Sequence, residues 1–202
     1  PGIVFMFDIT TFSASPFLAS TVAVAIAEVG DKTQLLSLLL VARFRNKWAI
    51  IGGILVATLL NHGLSSWGGI WIGENMESWL SGRVVDYVLA GSFALMALWV
   101  LIPDKEDDDD DNFAKYGAFI ATTLLFFIAE VGDKTQIATV ILAAEFQSFF
   151  WVTAGTTLGM LIANAPVVIW GQWLMDRLPL DLARRLTAVV FLGLAAYTLL
   201  SS

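Results

Sequence analysis

Nine residues, IAEVGDKTQ, run from Ile26 to Gln34 and return letter for letter from Ile128 to Gln136. Each copy sets a Glu, an Asp and a Lys inside a long apolar run, so any fold must accommodate charge in two related, greasy places. Composition decides what kind of burial this is. With 57% hydrophobic residues over 202 positions and a mean hydropathy of +0.76, the chain is too apolar for an ordinary soluble domain. Its apolar residues gather into six runs: Pro16 to Ala42, Trp48 to Gly73, Val84 to Ile102, Phe113 to Ala144, Phe149 to Leu174 and Leu182 to Leu200. Each is near the ~20 residues a helix needs to cross a bilayer. Strands of a membrane barrel would be about 10 residues long and strictly alternating, which these runs are not. The expected fold is an all-α integral membrane protein with six transmembrane helices.

No Lys or Arg precedes Lys32, so the N-terminal stretch lacks the positive region of a secretory signal peptide, and residues 16–42 are expected to remain as a span. The absence of cysteine removes disulfides and thiolate metal sites, and the single histidine, His62, argues against a His-rich zinc site. Basic residues alternate between loops. Arg43, Arg45 and Lys47 follow the first run, Lys105 and Lys115 the third, and Arg177, Arg184 and Arg185 the fifth, whereas Arg83 alone follows the second. Placing both termini outside puts the basic loops in the cytoplasm, as the positive-inside rule requires. The net charge of −7 comes largely from DKEDDDDDN, Asp104 to Asn112, and no basic stripe offers itself to nucleic acid. That acidic stretch reads first as a solvated linker between halves, with a cation antenna at the cytoplasmic mouth as the alternative.

The repeat extends beyond the nine letters. WAIIGGILVATLLNHG from Trp48 aligns with WVTAGTTLGMLIANAP from Trp151, pairing Gly52 with Gly155 and Asn61 with Asn164. FALMALWVL from Phe93 faces FLGLAAYTL from Phe191. Residues 1–102 thus form one three-helix unit, 103–112 an acidic cytoplasmic linker, and 113–202 a second unit. Three is odd, so the second unit enters the membrane from the opposite side, giving inverted repeats whose motif helices run antiparallel around a midplane site.

On a continuous helix, Glu28, Asp31, Lys32 and Gln34 cover an arc of about 160°, as do Glu130, Asp133, Lys134 and Gln136, so one polar face per repeat can meet the other. Six charges at helix centres carry a gross insertion penalty of roughly 15 to 20 kcal/mol before pairing, far more than a structural ion pair returns. Four carboxylates and two ammonium groups leave −2, which one dication or two protons would neutralise. The site is therefore expected to bind a metal dication and protons in competition. All-oxygen ligands suit hard ions such as Ca²⁺ and Mn²⁺.

Around this core the alternatives stand open. Gly30 and Gly132 either hinge the helix or permit close packing. Lys32 and Lys134 either pin carboxylates in the empty site or stay paired with Asp31 or Asp133. Thr33 and Thr135 are expected to bond back to their own helices. Asn61 and Asn164 either coordinate or gate, or bond helix to helix. Pro166 is expected to kink the fifth helix, His62 to serve packing, Gly155 and Gly159 to mark a close helix contact, and most of the eight Trp residues to anchor the interfaces.

The duplicated EVGDKTQ resembles the membrane family defined by two Glu-x-Gly-Asp-Lys-(Thr/Ser) motifs, with members in the Golgi, the chloroplast envelope and, as manganese exporters, in bacteria. The likeness covers nearly the whole chain, and neither motif departs from the pattern. It implies a cation/proton antiporter that moves Mn²⁺ or Ca²⁺ out of the cytoplasm. Glu28, Asp31, Glu130 and Asp133 would then be metal ligands and proton acceptors, and Lys32, Thr33, Lys134 and Thr135 would support them; Gln34, Gln136, Asn61 and Asn164 complete the candidate set. The compact form is similar to the bacterial branch, hence a multi-pass protein of the inner membrane. The partners expected are the dication, protons and the bilayer, with no cofactor, and the oligomeric state, a homo-oligomer included, is left open. Rival readings are a proton-coupled exporter of a small cationic solute such as an amino acid, a passive divalent channel, and a metal sensor. No nucleophile triad or phosphate loop accompanies the acids, so an enzyme is not expected.

Overall fold

The computed structural model describes residues 15–80, 83–102, 117–171, 173 and 180–201, and within these the chain is all helical. The helices are α1 (Pro16–Ala27), α2 (Lys32–Phe44), α3 (Lys47–Trp79), α4 (Arg83–Val100), α5 (Gly117–Glu130), α6 (Lys134–Phe146), α7 (Phe149–Trp170) and α8 (Leu180–Ser201). The acidic run 104–112 lies outside the described residues. Among the described residues the six apolar runs correspond to eight helices, because the first and fourth runs are each divided in two at the repeated motif.

Local signals set the other ends. Ser15 caps α1, its hydroxyl accepting from Leu18 N–H, with Pro16 in the first turn where a missing N–H costs nothing. α2 closes on Arg45 (φ 54°) and α6 on Gln147 (φ 47°), matched positions that both enter the left-handed region and return their N–H to Val41 O and Ala143 O. Asn46 then caps α3 by accepting from Ala49 N–H at 3.2 Å. α7 runs on past Pro166 to Trp170.

Packing is exchanged between the halves. α1 lies chiefly on α7, and α5 on α3, while α4 pairs with α8. Glycines make both crossings close. A Cβ on Gly155 would sit 2.6 Å from Phe17 O, and one on Gly53 would sit 2.8 Å from Phe119 O, so neither position has room for a side chain. Phe93 of α4 and Phe191 of α8, partners in the sequence repeat, stack with centroids 6.4 Å apart inside a cluster that includes Met96, Leu142 and Leu194. Only residues 47–76 and 149–170, among the described residues, form single helices long and apolar enough to cross a membrane. The motif halves, at 12 to 14 residues each, are too short to do so alone.

Candidate functional site

Both motif copies interrupt a helix. α1 ends at Ala27, Glu28 to Gly30 turn, and Asp31 caps α2; α5 ends at Glu130, and Asp133 caps α6. The turn works because Gly30 (φ 80°) and Gly132 (φ 77°) take left-handed backbone that costs a Cβ-bearing residue about 1–2 kcal/mol. Gln34 Oε1 accepts from Gly30 N–H at 2.8 Å, and Gln136 Oε1 from Gly132 N–H at 2.6 Å, so each Gln holds its own break. The continuous polar arc expected from helical periodicity is therefore corrected. The glutamates sit where α1 and α5 end and the aspartates cap α2 and α6, so the acids cluster around a break instead of along a stripe.

Each carboxylate set is tied in the same way twice. Thr33 Oγ1 donates to Glu28 Oε2 at 2.7 Å and lies 3.4 Å from Asp31 Oδ2. Thr135 Oγ1 repeats this with Glu130 Oε2 at 3.1 Å and Asp133 Oδ2 at 3.3 Å. These hydroxyls serve the acids and not their own helices, contrary to expectation, because the break removes the preceding turn whose carbonyl they would have bonded. Glu28 and Glu130 are fully buried, Asp31 and Asp133 nearly so. Oxygens of Glu28, Asp31 and Glu130 all lie within 4.8 Å of one another, so acids from both copies converge. The second oxygens of Glu28 and Glu130 have no hydrogen-bond partner from the protein.

Asp133 stands outside that trio and accepts an ion pair from Lys32 Nζ at 3.3 Å, which joins the two copies. Lys134 Nζ donates to Ile102 O at 2.6 Å. α2 and α6 point their N-terminal, partly positive ends at the break, while α1 and α5 end there with carbonyls that an ongoing helix would have consumed. Three converging carboxylates beside hydroxyl and main-chain oxygen offer the oxygen donors that a hard cation takes.

The amides fall elsewhere. Asn61 Nδ2 donates to Phe127 O at 3.0 Å, and Asn164 Oδ1 accepts from Ser37 at 3.2 Å, both bonds between helices. Gln34 Nε2 also crosses to Ala163 O at 2.9 Å. Ser37 was not distinguished by sequence; the available signal was a hydroxyl one turn beyond Thr33 on a helix that already carried the motif. His62 is fully buried on α3, and neither ring nitrogen has a protein partner.

Paired broken helices that bring buried acids together define a carrier of small hard cations. The chain belongs to the GDT1 family of divalent cation/proton antiporters, whose profile matches residues 16–108 and 118–202. It is 49% identical over 180 residues, 89% of this chain and 88% of the relative, to a Vibrio cholerae serotype O1 protein whose name proposes manganese export. A GDT1-like protein of Synechocystis sp. is 25% identical over 80% of this chain and 85% of its own. GDT1-like protein 4 of Oryza sativa subsp. indica is 25% identical over 88% and 70%. No solved structure matches the chain.

Proposed function

We propose that this protein is a six-span antiporter of the bacterial inner membrane that carries Mn²⁺, Ca²⁺ or both out of the cytoplasm in exchange for protons. The observation that carries this reading is the convergence of buried Glu28, Asp31 and Glu130 oxygens within 4.8 Å, from two copies of one motif. Such a cluster needs positive charge, and a dication or protons supply it in competition. The donor set is all oxygen, which fits both ions, and the name of the Vibrio cholerae relative favours manganese.

Each broken pair, α1 with α2 and α5 with α6, acts as one span with its break near the midplane, as inverted-repeat carriers require. The exchanged packing and the stacking of Phe93 on Phe191 support a two-fold relation between units 1–102 and 113–202. Basic loops place both termini outside. Glu28, Asp31, Glu130 and Asp133 bind the metal and accept protons. Thr33, Thr135, Gln34 and Gln136 hold them in place, Lys32 and Lys134 balance charge, and Asn61 and Asn164 tie the moving helices. Protons arriving from outside displace the dication loaded from the cytoplasm, and the repeats rock to expose the site to one side at a time.

In proteoliposomes, an imposed proton gradient is expected to drive uptake of Mn²⁺ or Ca²⁺; flux indifferent to the gradient sinks the coupling. Glu28→Gln and Glu130→Gln are expected to abolish exchange while the protein still elutes as a folded species. Normal flux in either variant removes that residue from the mechanism.

A further inference from the structure

The sequence repeat places Ala42 of α2 opposite Ala144 of α6, the same residue at the same point of each half-helix. Their surroundings differ: Ala42 is exposed and Ala144 is 5% exposed. The cause lies in the helices that cover them. α3 continues beyond Asn61 and brings Gly69 and Gly73 against α6. A Cβ on Gly69 would collide with Val140 O and sit 2.9 Å from Ala143 Cβ, and one on Gly73 would lie 2.8 Å from Ala144 O, next to the Gln147 amide. Main chain meets main chain along this seam. The matching helix, α7, ends at Trp170. A Cβ on Gly171, where the chain turns at φ 61°, would meet only Leu38, at 3.9 Å. α2 instead meets α7 through side chains, with Gln34 on Ala163 O, Ser37 on Asn164, and Leu36 and Leu40 in one apolar cluster with Met160 and Val168.

We infer that the two gates of the transporter are built differently: Gly69 and Gly73 close-pack α3 on α6 as the outer seal, whereas the cytoplasmic gate between α2 and α7 is made of side-chain contacts, hydrogen bonds among them, that release without parting close-packed backbones. This rests on the antiporter reading for which side is which. Opening the outer gate separates packed backbones, and opening the inner one parts side chains, among them two hydrogen bonds that water can replace. The resting, metal-free protein therefore keeps its outer seam shut and samples the cytoplasm-open state more readily.

The chain has no cysteine, so single introduced thiols report cleanly. In detergent and without metal, Ala42→Cys is expected to react with a charged maleimide at least about 10-fold faster than Ala144→Cys. Adding Gly73→Ala or Gly69→Ala is expected to speed labelling of Ala144→Cys about 10-fold, with the rate at Ala42→Cys unmoved as the control for an intact fold. Equal rates in the chain with unaltered glycines overturn the inference without relying on any glycine variant. So does continued protection of Ala144→Cys in a folded Gly73→Ala protein. Failure of gradient-driven exchange with the labelling difference intact sinks the antiporter reading and leaves the seam; exchange without the difference does the reverse.

Discussion

Thr33 and Thr135 each hold two acids with one hydroxyl, which fixes where the carboxylate oxygens of Glu28 and Glu130 point. A hydrogen bond to a charged group contributes about 1.5–3 kcal/mol. Thr33→Val is thus expected to weaken Mn²⁺ binding about 10- to 100-fold, and Thr33→Ser to recover most of it. Titration calorimetry on purified protein decides the matter; undiminished affinity in the Val variant removes the hydroxyl from the site. The acids themselves were legible in the sequence because they are charged, apolar-flanked and duplicated. The threonine role was not. Thr21, Thr139 and Thr156 bond back to carbonyls of their own helices, as threonines in apolar helices commonly do. Only the break, absent from any periodicity argument, turns Thr33 toward Glu28.

The breaks show where element-level reading fails. A single glycine costs a helix about 1 kcal/mol, too little to end one by itself, so residues 16–42 and 113–144 read as unbroken spans. What ends them is a conjunction: glycine at positive φ, an aspartate ready to cap the next helix, and a glutamine four residues on that satisfies the glycine N–H. A Cβ on Gly132 would meet nothing within 4 Å, so its backbone conformation alone opposes substitution. Gly132→Ala is expected to lower stability by about 1–2 kcal/mol, and Gly132→Asn by less, because Asn tolerates the left-handed region. Thermal unfolding in detergent measures this, and an unshifted Ala variant would argue that the break persists without glycine. The GxxxG at Gly155 and Gly159 was readable as a close contact, and the same spacing at Gly69 and Gly73 is equally visible; which helix each one meets was not, since that depends on partners far along the chain.

At the scale of the molecule, the repeat and the run lengths give an expectation of three spans per half, and the basic loops an expectation of orientation. Arg45 and Ser148 follow α2 and α6 on what the proposed topology makes opposite faces of the membrane. Arg45→Cys is expected to react with an impermeant maleimide only in inside-out vesicles, and Ser148→Cys only in right-side-out ones; the opposite pattern inverts the topology. The exchange of partners between halves, by contrast, left no trace in the sequence. α1 rests on α7 and α5 on α3, so α1 is synthesised well before the helix that becomes its main neighbour. Assembly cannot proceed half by half, as it does in proteins whose domains mature one after another. The newly inserted α1 waits in lipid, the face that fits the α7 glycines bare, until α7 has been made, and a nascent chain stopped after its first repeat is an orphan that quality control has reason to destroy.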